Sequence, residues 1–210
     1  MATCLPSALQ QIGRQVTVEE VVAEVLKDAP FYGSDGGVTI SGGEPFYQPR
    51  FTIELLQALH SRGISTVLDT CGYGSPAAVE QALEYTNLVL LDLKHMDPEK
   101  HRQGTGVDNK LILNNAKVMA SKCQVRISFP LIPGYNDGEE NIRATALLAR
   151  DLGLEWIDIE PLHSLGASKY EYLGLSSPYQ QYQEIKREDV LAARGVIASF
   201  GLQTTIGRMM

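Results

Sequence analysis

Gly37-Val38-Thr39-Ile40-Ser41-Gly42-Gly43-Glu44-Pro45 is the stretch whose reading decides the fold. A β-branched run stops abruptly in two glycines, a carboxylate and a proline, which is a short strand running straight into a turn. Residues 17–29 precede it as an amphipathic helix. Thr17 and Glu20 make a capping box, and Val18, Val21, Val22, Val25, Leu26 and Ala29 share one face at three- and four-residue steps. Asp35-Gly36 then turns the chain. After the strand at 37–41, Pro49 opens a helix whose Leu55, Leu56 and Leu59 face inward and which Gly63 stops.

The alternation continues to the C-terminus. Strands are expected at 64–69, 87–92, 124–131, 156–160 and 202–206. Helices are expected to start at Ser75-Pro76 and to span 108–121, the stretch from Asp137 (as cap) to Gly153, and 187–200. The run at 87–92 is nearly all apolar, which suits burial on both faces. Strands alternating with helices imply right-handed βαβ units and a parallel sheet, open or closed into a barrel. In such folds function gathers at the C-terminal ends of the strands.

The bulk properties narrow the function. A chain of 210 residues with 44% hydrophobic and 20% charged residues is expected to form one soluble globular domain with a real core. A net charge of -7 argues against non-specific nucleic-acid binding, which needs a basic face. No apolar run reaches the roughly 18 residues of a membrane span, and residues 1–10 lack the pattern of a signal peptide. Three separated cysteines, Cys4, Cys71 and Cys123, fit a reducing cytoplasm better than a disulfide scaffold. No G-x-G-x-x-G, P-loop, zinc spacing or Ser-His-Asp order is present.

The polar residues at the expected strand ends are the candidates for chemistry. Gly42 and Gly43 would let the backbone approach a ligand closely, with Glu44 beside them to accept from a cationic amine; a tight βα turn with a solvated Glu reads equally well. Asp92 and Lys94, two residues apart, point the same way. Lys94 suits a carboxylate and Asp92 an ammonium or cation, or the two form one ion pair at the rim. Repetition favours a site: Glu44, Asp69, Asp92, Arg126 and His163 all fall at or near one rim, and convergent polar groups are costly unless a ligand or mutual pairing satisfies them. His101 with Gly104-Thr105-Gly106, and Pro133-Gly134-Tyr135-Asn136-Asp137, read as loops above that rim. Cys71 and Cys123 read as core or rim thiols, and a lone His163 is as readily structural.

Taken together these residues resemble the radical S-adenosylmethionine (SAM) activating enzymes of glycyl radical enzymes, the family of pyruvate formate-lyase activating enzyme. The resemblance rests on Ser41-Gly42-Gly43-Glu44-Pro45, Leu68-Asp69-Thr70-Cys71-Gly72-Tyr73, Leu91-Asp92-Leu93-Lys94-His95, Pro133-Gly134-Tyr135-Asn136-Asp137 and Pro161-Leu162-His163-Ser164-Leu165-Gly166, in this order and spacing. It implies a partial (β/α)6 TIM-like barrel of the α/β class. It also implies a 4Fe-4S cluster that binds SAM, and reductive cleavage of SAM to a 5′-deoxyadenosyl radical that takes the α-hydrogen of a partner's glycine. By the resemblance, Gly42, Gly43 and Glu44 hold the SAM amine, Lys94 and His163 sit at its carboxylate, and Arg126 lies near SAM at the end of its strand. Asp69 and Asp92, with the carbonyls of Thr70 and Leu93, match the family's monovalent cation site. His101, Thr105 and Gly106 match the stretch that grips the partner's glycine loop. The partner implied is a pyruvate formate-lyase-like glycyl radical enzyme, with flavodoxin or ferredoxin as electron donor.

One departure stands out. The family's Cys-x-x-x-Cys-x-x-Cys cluster loop and the strand before it lie upstream of everything matched here, and three isolated cysteines do not replace them. Residues 1–16 resemble the tail of a ferredoxin-like cluster insert, with Cys4 as a remnant ligand, although Leu5 stands where the family has Pro directly after the Cys. Residues 17–210 then correspond to the C-terminal portion of the barrel, without its first strand and cluster loop. Two consequences are expected: an unpaired edge on the strand at 37–41, and weak SAM binding. A non-catalytic module that binds SAM or docks on a glycyl radical enzyme is the alternative.

Overall fold

The computed structural model describes residues 13–163, 170, 172–176 and 185–207. Among these, six strands form one sheet: β1 (Val38–Ile40), β2 (Thr66–Thr70), β3 (Leu88–Asp92), β4 (Gln124–Leu131), β5 (Trp156–Pro161) and β6 (Gln203–Ile206). Their spatial order is the order in sequence, and every pairing is parallel. The order is linear, so β1 and β6 are both edges and the sheet is an open part-barrel. Among the described residues no strand covers β1, as the sequence led us to expect. Cys4 and most of the stretch at 1–16 fall outside the described residues.

Helices α1 (Val18–Asp28), α2 (Pro49–His60), α3 (Pro76–Leu83), α4 (Pro98–Thr105), α5 (Lys110–Lys122), α6 (Glu139–Asp151) and α7 (Arg187–Ala198) connect the strands. The capping box of α1 forms as read, with Thr17 accepting from the Glu20 amide and Glu20 from the Thr17 amide. No described helix is long and apolar enough to cross a membrane.

The two faces of the sheet differ sharply. The outward row, including Leu68, Val89, Leu91, Ile127, Phe129, Ile157 and Ile159, is buried against the helices and forms the core. The inward row is half-open: Asp69, Leu88, Leu90, Asp92, Arg126 and Trp156 are all only part-buried. This corrects the reading of residues 87–92. β3 is buried on one face and half-open on the other, because Leu88 and Leu90 point to the concave side of an unclosed barrel. A second apolar cluster, Val22, Leu55, Leu59 and Ile64, joins α1 and α2 to the β1 edge.

Two local readings also need correcting. Residues 98–105 are a helix, not a loop. Asp97 caps it by accepting from the Glu99 and Lys100 amides at 2.8 and 2.9 Å, and Gly106, at φ +89°, ends it. Asp137 does not cap α6, whose N-cap is Gly138. Its carboxylate instead accepts from the Gly134 amide at 3.0 Å and closes the turn before the helix.

Candidate functional site

Glu44 is the hinge of the site. It ends the β1 loop and caps the short 3-10 turn Pro45–Tyr47. Its Oε1 accepts from the Phe46 amide (3.0 Å) and the Thr70 hydroxyl (2.6 Å), and its Oε2 accepts from the Cys71 amide (2.9 Å). The carboxylate thus ties the end of β1 to the end of β2. A carboxylate offers about four acceptor sites; three take these donors, and the Cys71 thiol, hydrogen-bonded to the same carboxylate, faces the fourth. Gly42, at φ +143°, takes a backbone conformation that side chains disfavour and sets the turn that aims Glu44.

Next to Glu44 the strand ends supply two more acids and one base. Asp69 accepts from the Ser41 hydroxyl at 3.0 Å. Asp92 Oδ2 is ion-paired with Lys94 Nζ. The other oxygen, Asp92 Oδ1, is buried with no donor. Burial raises the Asp92 carboxyl above its ordinary value; Lys94 opposes this, and Asp69 and Glu44 add to it. Three carboxylates against one ammonium leave this rim net negative. It has an orphaned buried oxygen beside a cleft of about 620 Å³, so it is shaped to take a cation.

Three buried asparagines fix the backbone that carries Lys94. Asn136 donates to the carbonyls of Lys94 (2.8 Å) and Pro130 (2.6 Å) and accepts from the Ile132 amide. Asn109 donates to the carbonyls of His95 and Met96. Asn141 accepts from the Met96 amide and donates to the Asn136 carbonyl. His101 is 3% exposed on α4, with Nδ1 at 2.7 Å from the Val107 carbonyl and 3.0 Å from the Thr105 hydroxyl. His101 and Thr105 line the same cleft as Glu44 and Asp92.

The structure therefore gathers Gly43, Glu44, Asp69, Thr70, Asp92, Lys94, His101 and Thr105 at one cleft, with Leu93 directly after Asp92 and Gly106 closing α4. It separates two of the candidates. Arg126 is the third residue of β4, five residues before that strand ends at Leu131, and in register with Leu90, so it lies below the rim rather than at it. Its guanidinium is held by Asp158, with Nε 2.8 Å from Oδ2 and Nη2 bonded to Oδ1, and stacks 4.5 Å over Trp156. His163 is exposed, two residues past β5. The aromatic rim of Phe46, Tyr47 and Tyr73 was not singled out from the sequence. The signal for it was an aromatic residue directly after each glycine-bearing turn.

Comparison with known proteins gives the context for this geometry. The family model of the radical SAM superfamily matches residues 4–146. This chain belongs to the radical SAM superfamily. Its curated relatives are activating enzymes of glycyl radical enzymes. It is 41% identical to the isethionate sulfite-lyase activating enzyme of Oleidesulfovibrio alaskensis over 93% of this chain and 64% of that one. It is 35% identical to the choline trimethylamine-lyase activating enzyme of the same organism over 96% and 67%. A solved domain of the pyruvate-formate lyase-activating enzyme from Bacteroides vulgatus superposes with TM-score 0.69 at 30% identity, covering 82% of this chain and 99% of that one. Streptococcus suis SuiB bound to S-adenosylmethionine shares the fold, with TM-score 0.72 at 16% identity over 95% and 45%. The radical SAM chain spans about two thirds of the length of the first two relatives.

The radical SAM family uses SAM and a 4Fe-4S cluster. The residues present do not fit the cluster, which needs roughly three or four thiolates. Among the described residues the thiols are Cys71 and Cys123. Cys71 follows β2, and burial and the neighbouring Glu44 carboxylate push its thiol up to about 12. Cys123 precedes β4 at the opposite end of the sheet and donates to the Thr86 carbonyl at 3.3 Å. The fit to SAM is better: its ammonium and sulfonium are cationic, and the rim offers three carboxylates, the orphan oxygen of Asp92 and Lys94 for its carboxylate.

Proposed function

We propose that this chain is the SAM- and partner-holding part of a glycyl radical enzyme activase. The observation that carries the reading is the net-negative rim at the ends of β1, β2 and β3, where Asp92 Oδ1 is buried without a donor. Gly42, Gly43 and Glu44 take the SAM amine, and Lys94 and His163 its carboxylate. Arg126 contacts the ligand deeper on the concave face. Asp69, Asp92 and the Thr70 and Leu93 carbonyls hold a monovalent cation that supplies the charge the orphaned oxygen calls for. No trio of His, Cys, Asp or Glu among the described residues is placed to hold a metal ion, so such a site depends on backbone carbonyls.

His101 and Thr105, which line the cleft, and Gly106, which ends α4 after them, take the glycine loop of the partner. The relatives act on enzymes as different as isethionate sulfite-lyase, choline trimethylamine-lyase and benzylsuccinate synthase. The partner is accordingly a glycyl radical enzyme, pyruvate formate-lyase-like in the broad sense, and the setting an anaerobic cytoplasm with flavodoxin or ferredoxin as reductant. Bound SAM supplies the hydrogen-abstracting chemistry; the residues of this chain bind it, orient it and shield it from water.

The test is calorimetric titration of SAM into the chain, with fluorescence anisotropy of a labelled glycine-loop peptide alongside. The expected result is weak SAM binding and tighter peptide binding when SAM is present. Glu44→Gln replaces one acceptor oxygen by a donor and is expected to weaken SAM about tenfold. A chain that binds neither SAM nor any glycine-loop peptide would sink the proposal.

A further inference from the structure

Helix α5 carries a buried amide that the site as described does not use. Asn115 is 1% exposed. Its Nδ2 donates to the carbonyls of Gly72 (2.8 Å) and Gly74 (2.9 Å), while its own Oδ1 is buried with no donor. A buried acceptor left unpaired is destabilising, so folding stability alone does not account for this side chain. What it secures is the shape of the turn to which it donates.

The two donated bonds hold that turn on either side of Tyr73. Other contacts fix it as well. The Gly72 amide donates to the Thr70 hydroxyl at 2.9 Å, and that hydroxyl donates to Glu44. The Gly74 amide donates to the Gly72 carbonyl at 3.0 Å. A Cβ on Gly74 would lie 2.7 Å from the Phe46 ring, so the backbone there is pressed against that ring. Held in this way, Tyr73 lines the cleft that Glu44, Asp92, His101 and Thr105 also line. It is nevertheless 44% exposed, as befits the mouth of the cleft rather than its floor. Ile112, one turn before Asn115 on α5, lines the cleft too.

We infer that Asn115 is a positioning residue that clamps the turn at Gly72 and Gly74, so that Tyr73 stands as a fixed aromatic wall against the partner's glycine loop. The inference rests on the partner reading given above. A glycine has no side chain to be recognised, so a glycine loop is gripped through its backbone and its neighbours. A tyrosine offers both a flat apolar face and a hydroxyl for that purpose. It binds best when its turn is already ordered, because ordering it on binding would cost affinity.

The experiment measures fluorescence anisotropy of labelled glycine-loop peptides on the full chain with SAM present, beside calorimetric titration of SAM. The peptides are those of isethionate sulfite-lyase, choline trimethylamine-lyase and benzylsuccinate synthase, and the tightest binder is carried forward. Tyr73→Ala and Asn115→Ala are each expected to weaken the peptide about tenfold while SAM stays within about twofold. In the double variant the loss is expected to stay within about twofold of that in Tyr73→Ala alone, because Asn115 acts through Tyr73. Losses that multiply, or equal weakening of peptide and SAM, would show that Asn115 merely supports the end of β2 and overturn the inference. Tyr73→Ala alters an exposed side chain and decides the matter if Asn115→Ala does not fold. Unchanged peptide affinity in that variant overturns the inference and leaves the partner reading intact. If no peptide binds the unaltered chain, both fail.

Discussion

At the scale of single residues the site depends on charges held where water cannot fully reach them. Asp92 shows the consequence most clearly. Its carboxyl titrates above the ordinary 3.8 because burial outweighs Lys94. The folded chain then binds that proton more tightly than the unfolded chain, so stability falls as pH rises from about 4 through the raised value. Asp92→Asn lacks this dependence. Urea midpoints are expected to favour the variant over the unaltered chain increasingly between about pH 4 and pH 7. Added monovalent cation at neutral pH should narrow the gap by stabilising only the unaltered chain. Parallel pH profiles for the two proteins would mean that Asp92 is not strained by its site. The sequence indicated that Asp92 and Lys94 share a side. It could not show that one Asp92 oxygen lacks a donor, because that depends on neighbours from other strands.

At the scale of elements, local rules worked wherever the signal lay in contiguous sequence. The Thr17 capping box, Pro at the start of α2 and α3, and the strand at 124–131 were read correctly. Thr17→Ala removes the acceptor for the Glu20 amide. It is expected to cost about 1 kcal/mol, seen as a lowered urea midpoint with an unchanged slope. An unchanged midpoint would show that α1 is held by its packing on Leu55 and Leu59 alone. Helix α4 carries no periodic signal, because Pro98-Glu99-Lys100-His101-Arg102-Gln103-Gly104-Thr105 has no apolar stripe; His101 is its one buried residue. The N-cap Asp97, Pro at the first helical position and Glu99 were nevertheless a legible start signal. Asp137 departs from the expected cap because the Pro133-Gly134 turn competes for the same carboxylate, which accepts from the Gly134 amide.

At the scale of the whole molecule the main feature of the described residues is a sheet that does not close into a full barrel. The outer row of the sheet is sealed by helices, the inner row is half-open, and among the described residues no strand pairs with the outer edge of β1, beside the apolar groove of Val21, Val25, Phe51 and Leu55. Open parallel edges favour strand addition, so the chain is expected to self-associate as its concentration rises in sedimentation velocity runs. The Val38 amide bonds to the Ser65 carbonyl of the β2 side, so by strand alternation the Thr39 amide faces outward. Thr39→Pro should therefore reduce association without loosening the β1–β2 ladder. Association that survives Thr39→Pro would point to a different surface. The sequence by itself determined the parallel βα alternation, most element boundaries and the polar residues at strand ends, since these follow from periodicity, caps and turn chemistry within short windows. The tertiary structure decided which of those residues meet. Register and strand order placed Glu44 on Thr70 and Cys71, set Arg126 below the rim and bound it to Asp158, because contacts between strands depend on how the sheet stacks the chain.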